Sequence, residues 1–424
     1  MTTQASIATA IFLAVYAMIV AEKIHRTVVA LIGAVLVILT GVLAQEAAIE
    51  VVDFNTIGLL IGMMVIVGIT RHTGIFEFLA IWSAKLVKGD PAWIMVSLAT
   101  VTAVLSALLD NVTTVLLIVP VTFSIAERLR ISPLPFLMAE VLASNIGGTA
   151  TLIGDPPNIM IGSATGLGFM DFVIALTPAI IVIHILTMAW FRILYKQSLR
   201  CDPQWQAAVL AMDEREQIKD AVLLKKCLVI IGLTILGFVL HQALHLESAT
   251  VAIAGAALLL LLTRMEPDHA FEAVEWGVIF FFVGLFVIVG ALEHTGVIEM
   301  VAKAALSVTG SNVPLAGSLI LWLSAIASAF VDNIPFTATM IPLIQDMGRL
   351  GGITDLNPLW WSLSLGACLG GNGTLIGASA NIVVASMAEK RGLSIGFLSF
   401  TKIAFPMMIM SIIVSHIYLW LRFF

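Results

Sequence analysis

The chain has 424 residues, of which 60% are hydrophobic and 11% are charged, and its mean hydropathy is +1.07. Soluble domains carry about 25% charged residues, so this composition excludes a soluble globular protein and predicts a polytopic membrane protein. The net charge of −6 says little for such a protein, and we expect no nucleic-acid partner. Three scattered cysteines predict neither a disulfide framework nor a metal site, and we expect no cofactor.

A membrane span needs about 20 apolar residues. The first apolar segment has no basic residue before it and is predicted to be a retained span rather than a cleaved signal. In chain order, the first half predicts spans near 5–22, 28–44 and 55–70, an amphipathic piece at 75–88, two apolar arms at 92–108 and 111–126, an interrupted span at 134–163 and a last span at 172–194.

Three blocks of the first half return later in the chain. Residues 67–77 (VGITRHTGIFE) return at 289–299, and residues 106–120 (SALLDNVTTVLLIVP) return at 328–342, both offset by 222. Residues 147–158 (GGTATLIGDPPN) return at 370–381 with an offset of 223. Three matches in order predict a duplication, with a first repeat at 1–194, a cytoplasmic linker at 195–223 and a second repeat at 224–424.

Each repeat is predicted to contain one re-entrant hairpin and one broken helix. The hairpins are expected at about 92–126 and 312–346, and the broken helices at about 134–163 and 359–387. Five spans per repeat would make the second repeat upside down relative to the first. The positive-inside rule agrees, because with the N-terminus outside only Lys303, Arg349 and Arg422 of the 21 basic residues face outward.

The predicted fold is therefore an all-α polytopic membrane protein with two inverted repeats of five transmembrane helices plus one re-entrant hairpin each, and with discontinuous helices. Inverted repeats with broken helices are typical of secondary transporters, whose binding site lies near the midplane. Non-helical backbone at that depth is tolerated only beside protein or a water-filled cavity. Both interrupted blocks of each repeat are expected to face one cavity.

Candidate site residues lie at the hairpin tips and at the helix breaks. We expect Asp110 and Asp332 to couple transport to an ion or proton, because ionisable groups inside a membrane are usually functional. Glycines at the breaks and neutral polar side chains are expected to bind the solute. These predicted solute-binding residues are Asn111, Thr113, Gly147, Gly148, Thr149, Thr151, Asn158, Asn333, Thr337, Gly370, Gly371, Asn372, Thr374 and Asn381.

Other roles stay open for these acidic residues. Asp110 and Asp332 could carry protons, bind sodium or merely cap broken helices. For Asp155, which precedes Pro156 and has Ala378 as its counterpart, a helix cap is favoured. Glu140 lies one or two turns before the first break and could face the cavity.

These blocks resemble the ion transporter superfamily, and most of all its arsenite-permease and P-protein branch. The resemblance rests on residues 106–122, 139–162, 328–343 and 370–384. It implies an elevator-like carrier, usually a homodimer, that exports arsenite or antimonite in exchange for protons and sometimes uses a separate ATPase subunit. In the superfamily's dicarboxylate carriers the tips begin with Ser; here Asp replaces it, which argues against citrate or succinate.

Three rival functions remain beside proton-coupled arsenite efflux. They are a sodium/proton antiporter, an anion or dicarboxylate carrier, and a channel, which inverted hairpin repeats disfavour. No nucleophile–base arrangement and no phosphate-binding GxxxxGK[ST] motif occurs in the sequence, so we expect a transporter rather than an enzyme. We expect it in the lipid membrane, in a bacterial inner membrane, carrying a small inorganic solute with H+ or Na+.

Overall fold

The computed structural model describes residues 2–21 and 23–424, and within these residues every regular element is helical. Nine of the described helices are long and apolar enough to cross a membrane. Three shorter apolar helices, Arg26–Leu39, Leu134–Gly148 and Ser248–Thr263, add to them. The chain is an all-α, polytopic integral membrane protein, as its composition predicts.

The first half contains ten helices. They are α1 (Thr3–Ala21), α2 (Arg26–Leu39), α3 (Gln45–Glu50), α4 (Phe54–Arg71), α5 (Ile75–Leu86), α6 (Pro91–Leu108), α7 (Asn111–Leu129), α8 (Leu134–Gly148), α9 (Pro156–Thr165) and α10 (Phe169–Leu194). The linker then holds α11 (Pro203–Leu210) and a short 3₁₀ turn (Arg215–Gln217).

The second half repeats this order. Its helices are α12 (Ala221–Leu240), α13 (Ser248–Thr263), α14 (Pro267–Phe271), α15 (Trp276–His294), α16 (Val297–Thr309), α17 (Val313–Phe330), α18 (Asn333–Gly351), α19 (Asn357–Gly370), α20 (Ser379–Glu389) and α21 (Phe397–Arg422). Each of the ten matches one helix of the first half in order and relative length. The breaks between α8 and α9 and between α19 and α20 fall where the repeated glycine blocks lie.

The two halves pack against each other through two pairs of helices. Helix α4 packs on α13 of the other half, and α2 packs on α15. Glycines permit both close approaches, since a Cβ on Gly62 would lie 2.6 Å from the Ala252 carbonyl carbon and one on Gly284 would lie 2.7 Å from that of Ala30. Small residues at such crossings are the usual way for helices to associate in lipid. We call α1, α2, α4, α12, α13 and α15 the scaffold helices.

The corresponding helices α4 and α15 run in opposite directions. One cavity is lined by Asp53, just before α4, together with Glu293 near the end of α15. A second cavity is lined by Arg71 at the end of α4 together with Glu275, just before α15. Opposite ends of the two helices therefore meet, as inverted repeats require.

The linker is attached to the base of the first hairpin. Lys85 Nζ lies 2.5 Å from Glu214 Oε2, and the Arg130 guanidinium lies 3.9 Å from the centre of the Trp205 ring. The hydrogen bond from Lys85 lowers the pKa of the Glu214 carboxyl. The charges that the sequence concentrates here thus hold the linker against α5 and α7.

Candidate functional site

Helices α6 and α7 form the first helical hairpin and α17 and α18 form the second, and each hairpin tip is a sharp break at an Asp-Asn pair. Asp110 ends the extended link after α6 and caps α7 by accepting a hydrogen bond from the Thr113 N–H at 2.8 Å. Asp332 caps α18 in the same way through the Ile334 N–H at 3.1 Å. Capping is therefore part of what both aspartates do, because Asp satisfies the free N–H groups of a first helical turn.

The two tips meet at one small pocket of about 30 Å³, which has room for one or two water-sized groups. The tips contribute Asp110 and Asn111 from the first half and Asn333 from the second. The remaining polar lining comes from Arg26, Asp155, Glu275 and Ser379. We call this space the central pocket.

Asp155 lines the central pocket and does not act as a helix cap. It occupies the position before α9, but its side chain makes no capping hydrogen bond. Instead Asn333 Nδ2 donates to its two oxygens at 3.2 and 3.4 Å, and the side chain is fully buried. The cap interpretation was wrong because the carboxylate is turned toward the tip of the opposite repeat.

Asp332 has a basic partner that its sequence neighbourhood does not contain. Arg26 Nη1 lies 2.5 Å from Asp332 Oδ2, and the two residues are 306 positions apart. Arg26, which the charge count places on the cytoplasmic side, is the first residue of α2 and lines the central pocket. For Asp110, the described part of the chain provides no salt-bridge partner.

A network of buried asparagines lies behind the pocket. Asn145 accepts from Asn111 Nδ2 at 3.0 Å and donates to Asn372 and Asn381 at 2.9 and 3.0 Å. Asn145 is fully buried and was not among the predicted site residues. The network connects the first tip to the breaks of both repeats, so it fixes the relative position of the elements that form the pocket.

Two predicted solute ligands are occupied by the chain itself. Asn158 donates to the Thr149 and Thr151 carbonyls, and its own oxygen accepts from Ser364 at 2.5 Å. Asn381 donates to the Gly371 and Thr374 carbonyls in the same way. Both amides hold their unwound segment in shape, and they lie behind the pocket rather than along it.

The predicted threonines also bond to backbone carbonyls. Thr149 donates to Asn145 at 2.7 Å, Thr151 to Ala107 at 2.5 Å, Thr337 to Asn333 at 2.8 Å and Thr374 to Ala329. Thr113 lines a neighbouring cavity, described below. The threonines are thus placed near the site, but they tie its segments together.

The glycines at the breaks let backbones approach. A Cβ on Gly147 would lie 2.1 Å from the Ala103 carbonyl oxygen, and one on Gly370 would lie 2.6 Å from that of Ala325. Across each break, a Cβ on Gly148 would lie 2.5 Å from the Gly154 carbonyl oxygen, and one on Gly371 would lie 3.0 Å from that of Gly377. These glycines are required for packing of each broken helix on its hairpin.

Glu140 does not line the central pocket. It is fully buried and accepts from Thr122 Oγ1 at 2.5 Å, on the side of α8 that faces α7. Glu275, in contrast, lines the central pocket, although it was not among the predicted site residues. Its counterpart at an offset of 222 is Asp53, and an acidic residue before both equivalent helices was a signal that could have identified it.

Two larger cavities are equivalent by the repeat. The cavity of about 270 Å³ holds Met64, Gly68 and Glu275, and the cavity of about 300 Å³ holds their counterparts Phe286, Gly290 and Asp53. The first cavity shares Met64 and Glu275 with the central pocket. Among the described residues the second shares none. The pocket therefore adjoins the cavity at one end of α4 and is separated from the cavity at the other end.

Groups of three or more His, Cys, Asp or Glu side chains arranged to hold a metal are absent from residues 2–21 and 23–424. The three cysteines are free. Cys368 is buried with its sulfur 3.7 Å from the Asn158 oxygen, behind the second break.

Residues 16–366 match the family profile described as citrate transporter, CitMHS. The chain belongs to this family. It is therefore a membrane transporter, and the predicted resemblance to the ion transporter superfamily is confirmed at this level. The narrower assignment to the arsenite-permease branch stays a prediction.

Two relatives of this CitMHS family member agree with its assignment as a membrane transporter and with its resemblance to P proteins. The chain is 44% identical to an uncharacterized transporter of Mycobacterium tuberculosis over 423 residues, covering 99% of this chain and 98% of the relative. It is 35% identical to the P protein of Homo sapiens over 503 residues, covering 98% of this chain and 60% of that protein. This likeness confirms the predicted relation to P proteins.

The fold resembles that of the YdaH transporter of Alcanivorax borkumensis, whose crystal structure has an unusual topology. The TM-score is 0.59, with 100% of this chain and 99% of that chain covered. Sequence identity is 13%, so the likeness concerns the fold alone.

Proposed function

We propose that this CitMHS family member is a secondary active transporter that exports a small uncharged solute, arsenite or antimonite, in exchange for protons. The proposed mechanism is an elevator-type alternation of the central pocket between the two sides of the membrane. The observation that carries the proposal is the central pocket itself, in which carboxylates from both repeats meet between two equivalent cavities.

The charge of the pocket supports proton coupling. Asp110, Asp155 and Glu275 contribute three carboxylates, and the single guanidinium, Arg26, is engaged by Asp332. Carboxylates held close together and away from bulk water favour binding of a proton or a cation. A proton bound there would change both the charge and the hydrogen bonding that a solute meets.

The size and polarity of the pocket support a small neutral solute. Its volume of about 30 Å³ leaves little room beyond a few atoms, and Asn111 and Asn333 offer amide groups at its wall. Undissociated arsenous acid needs hydrogen-bond partners rather than a counter-charge. The choice of arsenite itself comes from the resemblance to arsenite permeases.

Alternating access is supported by the unequal connection of the two cavities. The cavity that adjoins the pocket lies at the end of α4 near Arg71, which the charge rule assigns to the cytoplasm. The equivalent cavity near Asp53 is separated from the pocket. Movement of the hairpins and broken helices along the scaffold helices would bring the pocket next to the cavity near Asp53 instead, as inverted repeats allow.

Several further features belong to this proposal. The first hairpin enters from the cytoplasm and the second from outside, and the N-terminus lies outside a bacterial inner membrane. The repeats comprise residues 1–194 and 224–424, joined by the linker at 195–223. The carrier is a homodimer joined through scaffold helices, and a separate ATPase subunit is an additional partner to be tested.

Sodium/proton antiport is the second candidate. Carboxylate and amide oxygens are the ligands that hard cations prefer, and Asp110, Asp155, Glu275 and Asn333 bring such oxygens to one pocket. The same residues that would exchange protons would then hold sodium in alternation. This candidate differs from the first in requiring no other solute.

Citrate, the substrate in the family's description, is the third candidate. A polyanion would meet three carboxylates and one already paired guanidinium, and like charges at short range oppose its binding. We therefore rank it below the other two.

The test is transport by purified protein in proteoliposomes with an imposed pH gradient. Arsenite, antimonite, citrate and sodium are offered separately, and solute content and internal pH are recorded together. Arsenite accumulation driven by protons and indifferent to sodium supports the proposal. Sodium-driven proton movement without arsenite transport replaces it with antiport, and citrate accumulation replaces it with an anion carrier.

A further inference from the structure

The second hairpin tip is closed by a three-way polar contact. Arg26 Nη1 lies 2.5 Å from Asp332 Oδ2 and donates to Ser379 Oγ at 2.8 Å. Ser379 Oγ in turn donates to the same Asp332 oxygen at 3.1 Å. Arg26 comes from scaffold helix α2, whereas Asp332 directly precedes α18 and Ser379 begins α20 of the second repeat.

Two contacts with α15 hold Arg26 in position. Its neighbour Thr27 donates to the Gly277 carbonyl at 2.6 Å, and its guanidinium carbon lies 5.1 Å from the centre of the Phe281 ring. The Arg26 and Asp332 side chains are 25% and 11% exposed. Breaking a partly buried pair of this kind leaves an uncompensated charge, so the pair is expected to persist while the conformation lasts.

Within the part of the chain that the structure describes, the first hairpin tip has no contact equivalent to Arg26–Asp332–Ser379, because the sequence places other residue types at the equivalent positions. The repeat offset of 222 places Ser248 opposite Arg26, and the offset of 223 places Pro156 opposite Ser379. Neither residue carries a positive charge. Asp110 is held by the N–H of Thr113 in its own helix, and the described residues supply no basic partner.

The contact also separates two spaces. Arg26 and Ser379 line both the central pocket of about 30 Å³ and a cavity of about 390 Å³ on its far side. Asp332 faces the larger cavity together with His25 and hydrophobic side chains of α1, α17 and α20. The Arg26–Asp332 ion pair therefore lies between the central pocket and the cavity of about 390 Å³.

We propose that Arg26 is an intramolecular counter-cation that withdraws Asp332 from proton exchange. Of the two equivalent tip aspartates, Asp110 alone then binds and releases protons, and Asp332 with Arg26 serves as a positioning pair that keeps the second tip against the scaffold. This inference deepens the proposed function, since it assigns its coupling residue. The charged or titratable groups around Asp332 are Arg26, His25, Tyr16, Asp110, Asp155 and Glu275.

The experiment measures carboxyl protonation directly and needs no solute. Lipid-reconstituted protein is titrated between about pH 5 and about pH 9, above the range in which ordinary and ion-paired carboxylates protonate, while infrared difference spectra record the protonated-carboxyl band. The variants are D110N, D332N, R26Q and the double variant R26Q/D332N, with R26K as the matched control that keeps the positive charge. All are compared with wild type at equal protein content and after size-exclusion chromatography.

We expect D110N to lose one titrating carboxyl and D332N to lose none. R26Q should gain one additional titrating carboxyl, R26Q/D332N should lose that gain, and R26K should match wild type. Loss of a carboxyl band in D332N, or no gain in folded R26Q, overturns the proposal. If R26Q does not fold, the comparison of D110N and D332N with wild type still decides. Because no transport is measured, failure here is distinct from failure to transport arsenite.

Discussion

Replacing Asn145 tests whether the asparagine network holds the two repeats in register. Leucine has nearly the same size, so Asn145→Leu removes the amide without opening a large cavity. The side chain makes three hydrogen bonds to Asn111, Asn372 and Asn381. A hydrogen bond between membrane helices contributes about 0.6 kcal/mol on average, which gives roughly 2 kcal/mol for the three.

The amide groups of Asn111, Asn372 and Asn381, left without their hydrogen-bond partner, add to that loss of stability. Asn145 is fully buried, and a buried polar group left without a partner costs about 1–3 kcal/mol. We therefore expect Asn145→Leu to lower the free energy of unfolding by about 3–5 kcal/mol. The assay is SDS-induced unfolding in mixed micelles, followed by loss of helical circular dichroism.

Ser324→Ala is the matched control for this prediction. Ser324 is equally buried in a helix of the second hairpin, but its hydroxyl has no hydrogen-bond partner in the described part of the chain. Because this removal breaks no hydrogen bond and takes away a buried unpartnered hydroxyl, Ser324→Ala should not lower the free energy of unfolding. If Asn145→Leu is as stable as Ser324→Ala, the network does not hold the repeats together and the reasoning fails.

Two other predictions concern the scaffold and the linker. Gly62→Leu should sharply reduce the yield of folded protein on size-exclusion chromatography, because a Cβ at this position would lie 2.6 Å from the Ala252 backbone. Gly232→Ala should match wild type, because a Cβ at position 232 would meet open space. Because Lys85 lowers the pKa of Glu214, their contact should slow amide hydrogen exchange in the linker, corrected for the intrinsic exchange rates, at neutral pH. This protection should be lost as the pH falls through the lowered pKa. Lys85→Met should abolish the pH dependence, and unchanged pH dependence would show that another group is responsible.

Much of the architecture could be predicted because duplication repeats both residues and spacing. The offset of 222 identified Asp110 and Asp332 as equivalent, and the glycine blocks marked where helices break. Apolar length predicted an all-helical membrane protein, since a spanning helix must satisfy its own backbone. Such patterns depend on local sequence, which is why they can be read without a structure.

The partners of polar side chains could not be predicted in the same way. Arg26 and Asp332 are 306 residues apart, and their contact depends on how scaffold and hairpin pack. Likewise Asn158 and Asn381 have the composition of solute ligands, but backbone carbonyls of the breaks occupy both amides. Residue type shows which bonds a side chain can make, whereas tertiary packing determines which ones it makes.

Asp155 illustrates a second limit. An acidic residue directly before Pro156 is the usual signature of a helix cap, and its replacement by Ala378 in the other repeat agreed both with a cap and with a part in coupling that only one repeat has. The carboxylate instead binds Asn333 of the opposite hairpin tip. Asymmetry between the repeats was the available signal, and the asymmetric residue lines the central pocket.

The central claim is that Asp110 couples transport to protons, and the most direct measurement compares two modes of transport in Asp110→Asn proteoliposomes. Arsenite exchange at equal pH requires only solute binding and movement of the carrier, whereas accumulation under a pH gradient also requires a proton carrier. We predict that Asp110→Asn retains exchange and loses accumulation, because asparagine keeps the size and capping ability of aspartate. Wild-type accumulation by this variant would contradict the account.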